Sequence, residues 1–188
     1  MLEESFNHIA EFNRSIGNNR IVCPYLREER RQDLDGYRSV ARTLNKIGKK
    51  CKDIGFEFYY HNHAFEFKDY EGKCGFDILI EETDPELVRF EIDTCWVKFG
   101  GRNPAKFIKS LAGRCQIIHL KDLEAGDKIV FREVGEGIID FNDVFRACSN
   151  SSVDWFVVEQ DVCATNALEC VETSLCNINK LKSNIGID

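Results

Sequence analysis

Apolar residues recur along this chain with two alternating periods. Leu2, Phe6, Ile9, Phe12 and Ile16 have the spacing of one helix face, and Gly17-Asn18 is a stop signal after them. Arg20 to Tyr25 reads as a short strand that leaves through Pro24, and the charged residues 26–35 read as a loop. Val40, Leu44, Ile47 and Cys51 form one stripe of a helix over 36–54, capped by Gly55. A strand over 56–63 follows, then a turn at 68–75 with Gly72 and Gly75, and a short helix over 76–82. The next strand covers 88–94 and runs into a loop containing Gly100 and Gly101. Asn103-Pro104 opens a helix over 104–112, with proline at a favoured first-turn position. The pattern then gives a strand at 115–121, a long loop at 122–137, a helix at 141–149, a strand at 154–160 and a closing helix at 166–183.

The order is one helix, then five strands, each followed by a helix. Strict alternation of this kind builds a parallel sheet, and strands rich in Ile, Val and Phe fit a sheet covered on both faces. No low-complexity segment or linker divides residues 1–188, so the expectation is a single α/β domain.

Composition narrows the class. The 188 residues are 43% hydrophobic and 30% charged, ordinary for a globular protein. Mean hydropathy is −0.33, and no apolar run approaches the ~20 residues of a membrane span. The net charge of −7, with no dense basic patch, disfavours a nucleic-acid partner. The acidic, amphipathic N-terminus lacks the basic start and apolar centre of a signal peptide. Nine scattered cysteines without a CxxC pair read as reduced side chains of a cytoplasmic protein.

Four strands share one layout, an apolar run that breaks into polar residues at its C-terminal end: FEFYYHNH at 56–63, RFEIDTCW around Asp93, QIIHLKD around His119 and WFVVEQD around Glu159. Sites in parallel α/β folds form at such ends. Strand alternation groups Tyr59, His61 and His63 on one face, Glu91 with Asp93, His119 with Lys121, and Val157 with Glu159 and Asp161. Asp93, His119 and Glu159 supply two carboxylates and an imidazole, a donor set for Mn²⁺, Zn²⁺ or Mg²⁺, and His61 is the candidate for a fourth ligand. Lys121 is the candidate holder of a substrate oxyanion or hydroxyl, and Trp96 the wall on which a sugar ring packs. Glu136 brings a carboxylate to the turn Gly135-Glu136-Gly137, and His63 stands two residues beyond His61; both are candidate substrate contacts. Glu57, Arg89 and Glu91 are expected to pair as a structural layer beneath the site.

These residues carry a resemblance. YHNHAFEF at 60–67, ETDPELVRFEIDTCWV at 82–97, IIHLKD at 117–122, VGEGIIDF at 134–141 and VEQD at 158–161 resemble the sugar phosphate isomerase/epimerase family, the xylose isomerase-like TIM barrels. The resemblance implies a divalent metal held at the ends of the last four strands, with Asp93, His119 and Glu159 on three ligand positions. The family's usual first ligand is a glutamate, and the matching strand here offers His61. Glu159 and His61 would then move protons next to a carbonyl, with Lys121 assisting, in isomerisation, epimerisation, dehydration or elimination. A complete barrel of this type needs about 250 residues. Against it, this chain lacks the first three β/α units, which implies an incomplete barrel of five parallel strands. Its two edge strands are expected to be covered by self-association, or the chain is a fragment of a longer product. Two other readings stand beside the metal-dependent sugar enzyme: a catalytically degenerate binding or scaffold protein of the same fold, and an endonuclease IV-like DNA repair enzyme. The second is opposed by only four histidines and the negative charge.

Overall fold

A computed structural model describes residues 2–111, 113–149 and 151–186. Five strands form one parallel sheet: β1 (Arg20–Cys23), β2 (Glu57–His61), β3 (Arg89–Asp93), β4 (Cys115–Leu120) and β5 (Trp155–Val158), in the order β1-β2-β3-β4-β5. The helices are α1 (Leu2–Ser15), α2 (Leu34–Asp53), α3 (Gly75–Glu82), α4 (Thr94–Phe99), α5 (Pro104–Ser110), α6 (Phe141–Ser149) and α7 (Ala167–Asn184). The expected alternation is therefore present, with sequential strands side by side. Backbone contacts divide the chain after Glu91, inside β3, into two compact units.

The first unit runs to Glu91. Helix α2 begins two residues earlier than its hydrophobic stripe indicates, because the Asp33 side chain caps it by accepting from the Gly36 N–H at 2.8 Å. Its buried stripe, Tyr37, Val40, Ala41, Leu44, Ile47 and Cys51, packs on β2 and α3. Phe76 of α3 is fully buried in an aromatic cluster, stacked on Phe67 at 5.6 Å and tilted against Phe90 at 5.0 Å. Gly75 starts that helix because a β-carbon there would enter the Tyr37 ring. The turn expected at 68–75 is a small antiparallel hairpin, Asp69–Tyr70 against Lys73–Cys74. On the other face of the sheet Glu57 is paired by Arg20 at 3.0 Å and by Arg89, and accepts the Tyr59 hydroxyl at 3.0 Å. Register explains this, since Arg20 lies beside Glu57, and Arg89 beside Tyr59.

The second unit begins at Ile92. Its core is built from Ile117, Ile118 and Leu120 of β4 with Phe107 and Ile108 of α5 and Phe141, Val144 and Phe145 of α6. The segment after β3 differs from the expected loop. It is helix α4, because Asp93 caps it by accepting the Trp96 N–H at 3.1 Å. The long loop at 122–137 contains a hairpin, Asp122–Leu123 against Phe131–Arg132. Edge strand β5 is exposed: Phe156 packs edge-on against Phe145 at 5.3 Å, while Trp155 keeps 57% of its surface accessible. No described helix is long and apolar enough to cross a membrane.

Candidate functional site

In the first unit, β2 ends in His61 and the chain turns at once into a 3₁₀ turn, Phe65–Phe67. His61 is buried, and its Nδ1 lies 3.0 Å from Glu91 Oε1 on the neighbouring strand. The parallel register sets this pair, since His61 lies beside Glu91. Glu91, expected to belong to a layer beneath the site, thus orients a site imidazole. His63 meets the His61 ring edge-on at 5.2 Å and stacks on Phe65 at 5.2 Å. Tyr25 approaches His63 edge-on at 5.3 Å, and the Arg31 guanidinium covers Phe65 at 3.7 Å. Beneath them sits Glu66, fully buried, accepting the Tyr60 hydroxyl at 2.5 Å and the His63 N–H at 2.8 Å. Burial pushes the Glu66 carboxyl up to about 8, against the opposing pull of those donors.

In the second unit the expected residues of three strands come together. Asp93 is completely buried; its Oδ1 caps α4 and its Oδ2 faces His119 Nδ1 at 3.9 Å and Lys121 Nζ at 3.4 Å. Glu159, just past β5, brings Oε2 to 3.6 Å from the same His119 nitrogen and 2.7 Å from Lys121 Nζ. Asp161 adds a third carboxylate at 2.8 Å from the ammonium. Lys121 is 3% exposed in its side chain and lies 5.8 Å from the Trp96 ring centre and 5.7 Å from that of Phe131. Burial opposes its charge, but Asp93, Asp161 and Glu159 outweigh that and hold the ammonium protonated beyond its ordinary range. Two carboxylate oxygens facing one imidazole nitrogen form a donor set that a divalent cation fits.

Two residues outside the candidate set shape this end of the unit. Thr94 is buried, with Oγ1 2.8 Å from the Lys121 carbonyl, 3.1 Å from the His119 carbonyl, and accepting the Lys121 N–H at 3.1 Å. It locks the end of β4 to the start of α4. Asp122 is the hub of the following loop. Its carboxylate accepts the N–H groups of Leu123 (2.9 Å), Gly135 (3.0 Å), Gly137 (2.9 Å) and Ile139 (3.2 Å). Burial raises its carboxyl nonetheless. Gly137 is required there because a β-carbon would run into Asp122 and the Leu123 carbonyl. The same loop carries Glu136, whose Oε1 accepts from Asn177 of α7 at 3.2 Å, while Val134 N–H donates to Ser174 at 3.1 Å.

A parallel α/β sheet whose strands end in carboxylates, imidazoles and a lysine defines a protein of the TIM-barrel class. The family model described as xylose isomerase-like TIM barrel matches residues 4–169, and the chain belongs to that family. Among curated relatives, an inosose dehydratase of Clostridium tetani is 30% identical over 180 residues, covering 86% of this chain and 59% of its own length. Inosose dehydratase 2 of Bacillus cereus is 30% identical over 71% of this chain and 50% of its own length. The chain thus spans about half the length of these relatives. A solved sugar phosphate isomerase/epimerase from Parabacteroides distasonis superposes with a TM-score of 0.80 at 20% identity, over 94% of this chain and 64% of that one. The IolI protein, solved with a bound zinc atom, gives 0.74 at 17% identity, over 97% and 69%. These two likenesses concern the fold.

Proposed function

We propose that this chain is a metal-dependent enzyme that moves a proton next to the carbonyl of a sugar or cyclitol, as an isomerase, epimerase or dehydratase. The observation that carries the reading is the convergence of Asp93 Oδ2 and Glu159 Oε2 on His119 Nδ1, with Lys121 beside them. Asp93, His119 and Glu159 are the proposed ligands from the ends of β3, β4 and β5, and His61 is the proposed fourth ligand. With Nδ1 engaged by Glu91, His61 would ligate through Nε2, in the carboxylate–histidine arrangement common around bound metals. The zinc of the IolI protein supports a transition metal, and the inosose dehydratases support a polyhydroxylated ring ketone as substrate. When bound, the ion would act as a Lewis acid on the carbonyl oxygen.

The chain's own part is proton handling. Glu159 takes the proton from the carbon next to the carbonyl, the C–H electron pair moves toward the carbonyl, and the oxygen gains negative charge. The Lys121 ammonium is the cation placed for that oxygen. Trp96, His63 and Glu136 are the proposed substrate contacts. Trp155 exposed on β5 supports self-association across that edge.

The alternative is a protein of the same fold that binds the metal and a sugar without turnover. One experiment separates them: incubation with an inosose and Mn²⁺ in D₂O, followed by proton NMR. The proposal expects exchange at the carbon beside the carbonyl, lost in Glu159→Gln. Metal binding without exchange above the Mn²⁺ background would contradict catalysis.

A further inference from the structure

We propose that Lys121 is a built-in competitor for the metal, and that Asp161 is the positioning residue that takes over its ammonium when the ion enters. The inference rests on the metal reading above and deepens it. The two oxygens that face His119 Nδ1 are the same two that hold the lysine: Asp93 Oδ2 lies 3.9 Å from the imidazole nitrogen and 3.4 Å from Nζ, and Glu159 Oε2 lies 3.6 Å and 2.7 Å from them. An oxygen bound to a transition metal sits at about 2.0–2.2 Å from it and gives up most of its pull on a neighbouring ammonium. The dication also repels the ammonium directly, and more strongly in a buried site than in water.

Retreat into solvent is closed to this lysine, whose side chain is 3% exposed beside the rings of Trp96 and Phe131. Asp161 is the remaining carboxylate, 2.8 Å from Nζ and two residues beyond Glu159. Charge balance agrees with the exchange. Asp93, Glu159 and Asp161 against Lys121 leave two negative charges, which one divalent ion cancels. Lys121 thereby sets the affinity for the ion, and ends paired to Asp161 beside it.

The test is calorimetric titration of Mn²⁺ into the wild type, Lys121→Met, Asp161→Asn and the double variant. Removing the ammonium should tighten Mn²⁺ binding about tenfold, and Asp161→Asn should weaken it about tenfold. In the Lys121→Met background the Asp161→Asn effect should vanish, because it acts through the lysine. Lys121→Gln, which keeps a donor for the carboxylates, replaces the methionine variant if that one does not fold. Binding by the wild type with an unchanged or weaker constant in the lysine variants overturns this inference and leaves the metal reading standing. So does an Asp161→Asn effect of equal size in both backgrounds. Failure of every protein to bind Mn²⁺ overturns both.

Discussion

At the end of β2, two imidazoles are held in a frame of aromatic rings and directed hydrogen bonds; at the ends of β3, β4 and β5, one ammonium is held among three carboxylates. The first region is buried and its acid, Glu66, is driven toward the neutral form. The second is open on one side, with Glu159 47% and Asp161 42% exposed, and it keeps its charges by pairing them. Burial that outweighs a distant countercharge suppresses ionisation; burial beside several countercharges enforces it. The same fold position thus gives an orienting region in one unit and a charged region in the other.

The comparison is broken most strongly in the charged region. Glu159→Gln should lower the proton-exchange rate by about 10²–10⁴-fold, the usual worth of a positioned acid–base group. Asp122→Ala strips four buried or half-buried N–H groups of their acceptor and should cost about 2–4 kcal/mol in urea unfolding, since each orphaned group costs about 1–3 kcal/mol before the loop relaxes. In the orienting region Glu91→Gln should leave the fold intact and weaken metal binding by about 10–100-fold, the effect of losing a carboxylate behind a ligating histidine. If Glu91→Gln has no effect, His61 is not a ligand.

A further effect concerns pH. The Glu66 carboxyl is raised to about 8, so the folded chain binds a proton that the unfolded chain has already lost above the ordinary carboxylate range. This contribution is complete at low pH and is lost as the pH rises toward 8. Stability should therefore fall between pH 5 and 8 with a slope of at most about 1.4 kcal/mol per pH unit from this group, and Glu66→Gln should flatten it. Urea unfolding at both pH values reads the difference; an unchanged slope in the variant would mean that Glu66 is ionised in the folded chain.

The sequence carried the strands and the charged cluster because both are periodic. Ile117, His119 and Lys121 alternate, so one face of β4 was legible before any coordinates, as was the shared face of Glu159 and Asp161. Asp93 was legible as a strand-end acid but not as the cap that turns the next six residues into α4, because TCWVKF has no helical stripe of its own. Glu91 and Glu66 were visible as carboxylates, while their partners depend on register and on a 3₁₀ turn that spacing does not encode. Asp122 is, in the sequence, an acid next to Lys121 with no pattern of its own. Its role comes from backbone N–H groups up to 17 residues away, which leave no trace in side-chain pattern.

The central claim is that the strand-end residues hold one divalent metal ion. Electron paramagnetic resonance of Mn²⁺ added to the purified chain tests it most directly, by counting the ion removed from solution. The account predicts one bound Mn²⁺ per chain in the wild type, with affinity reduced about a hundredfold or more in His119→Ala. Equal binding by the wild type and His119→Ala, or none by the wild type, would contradict it.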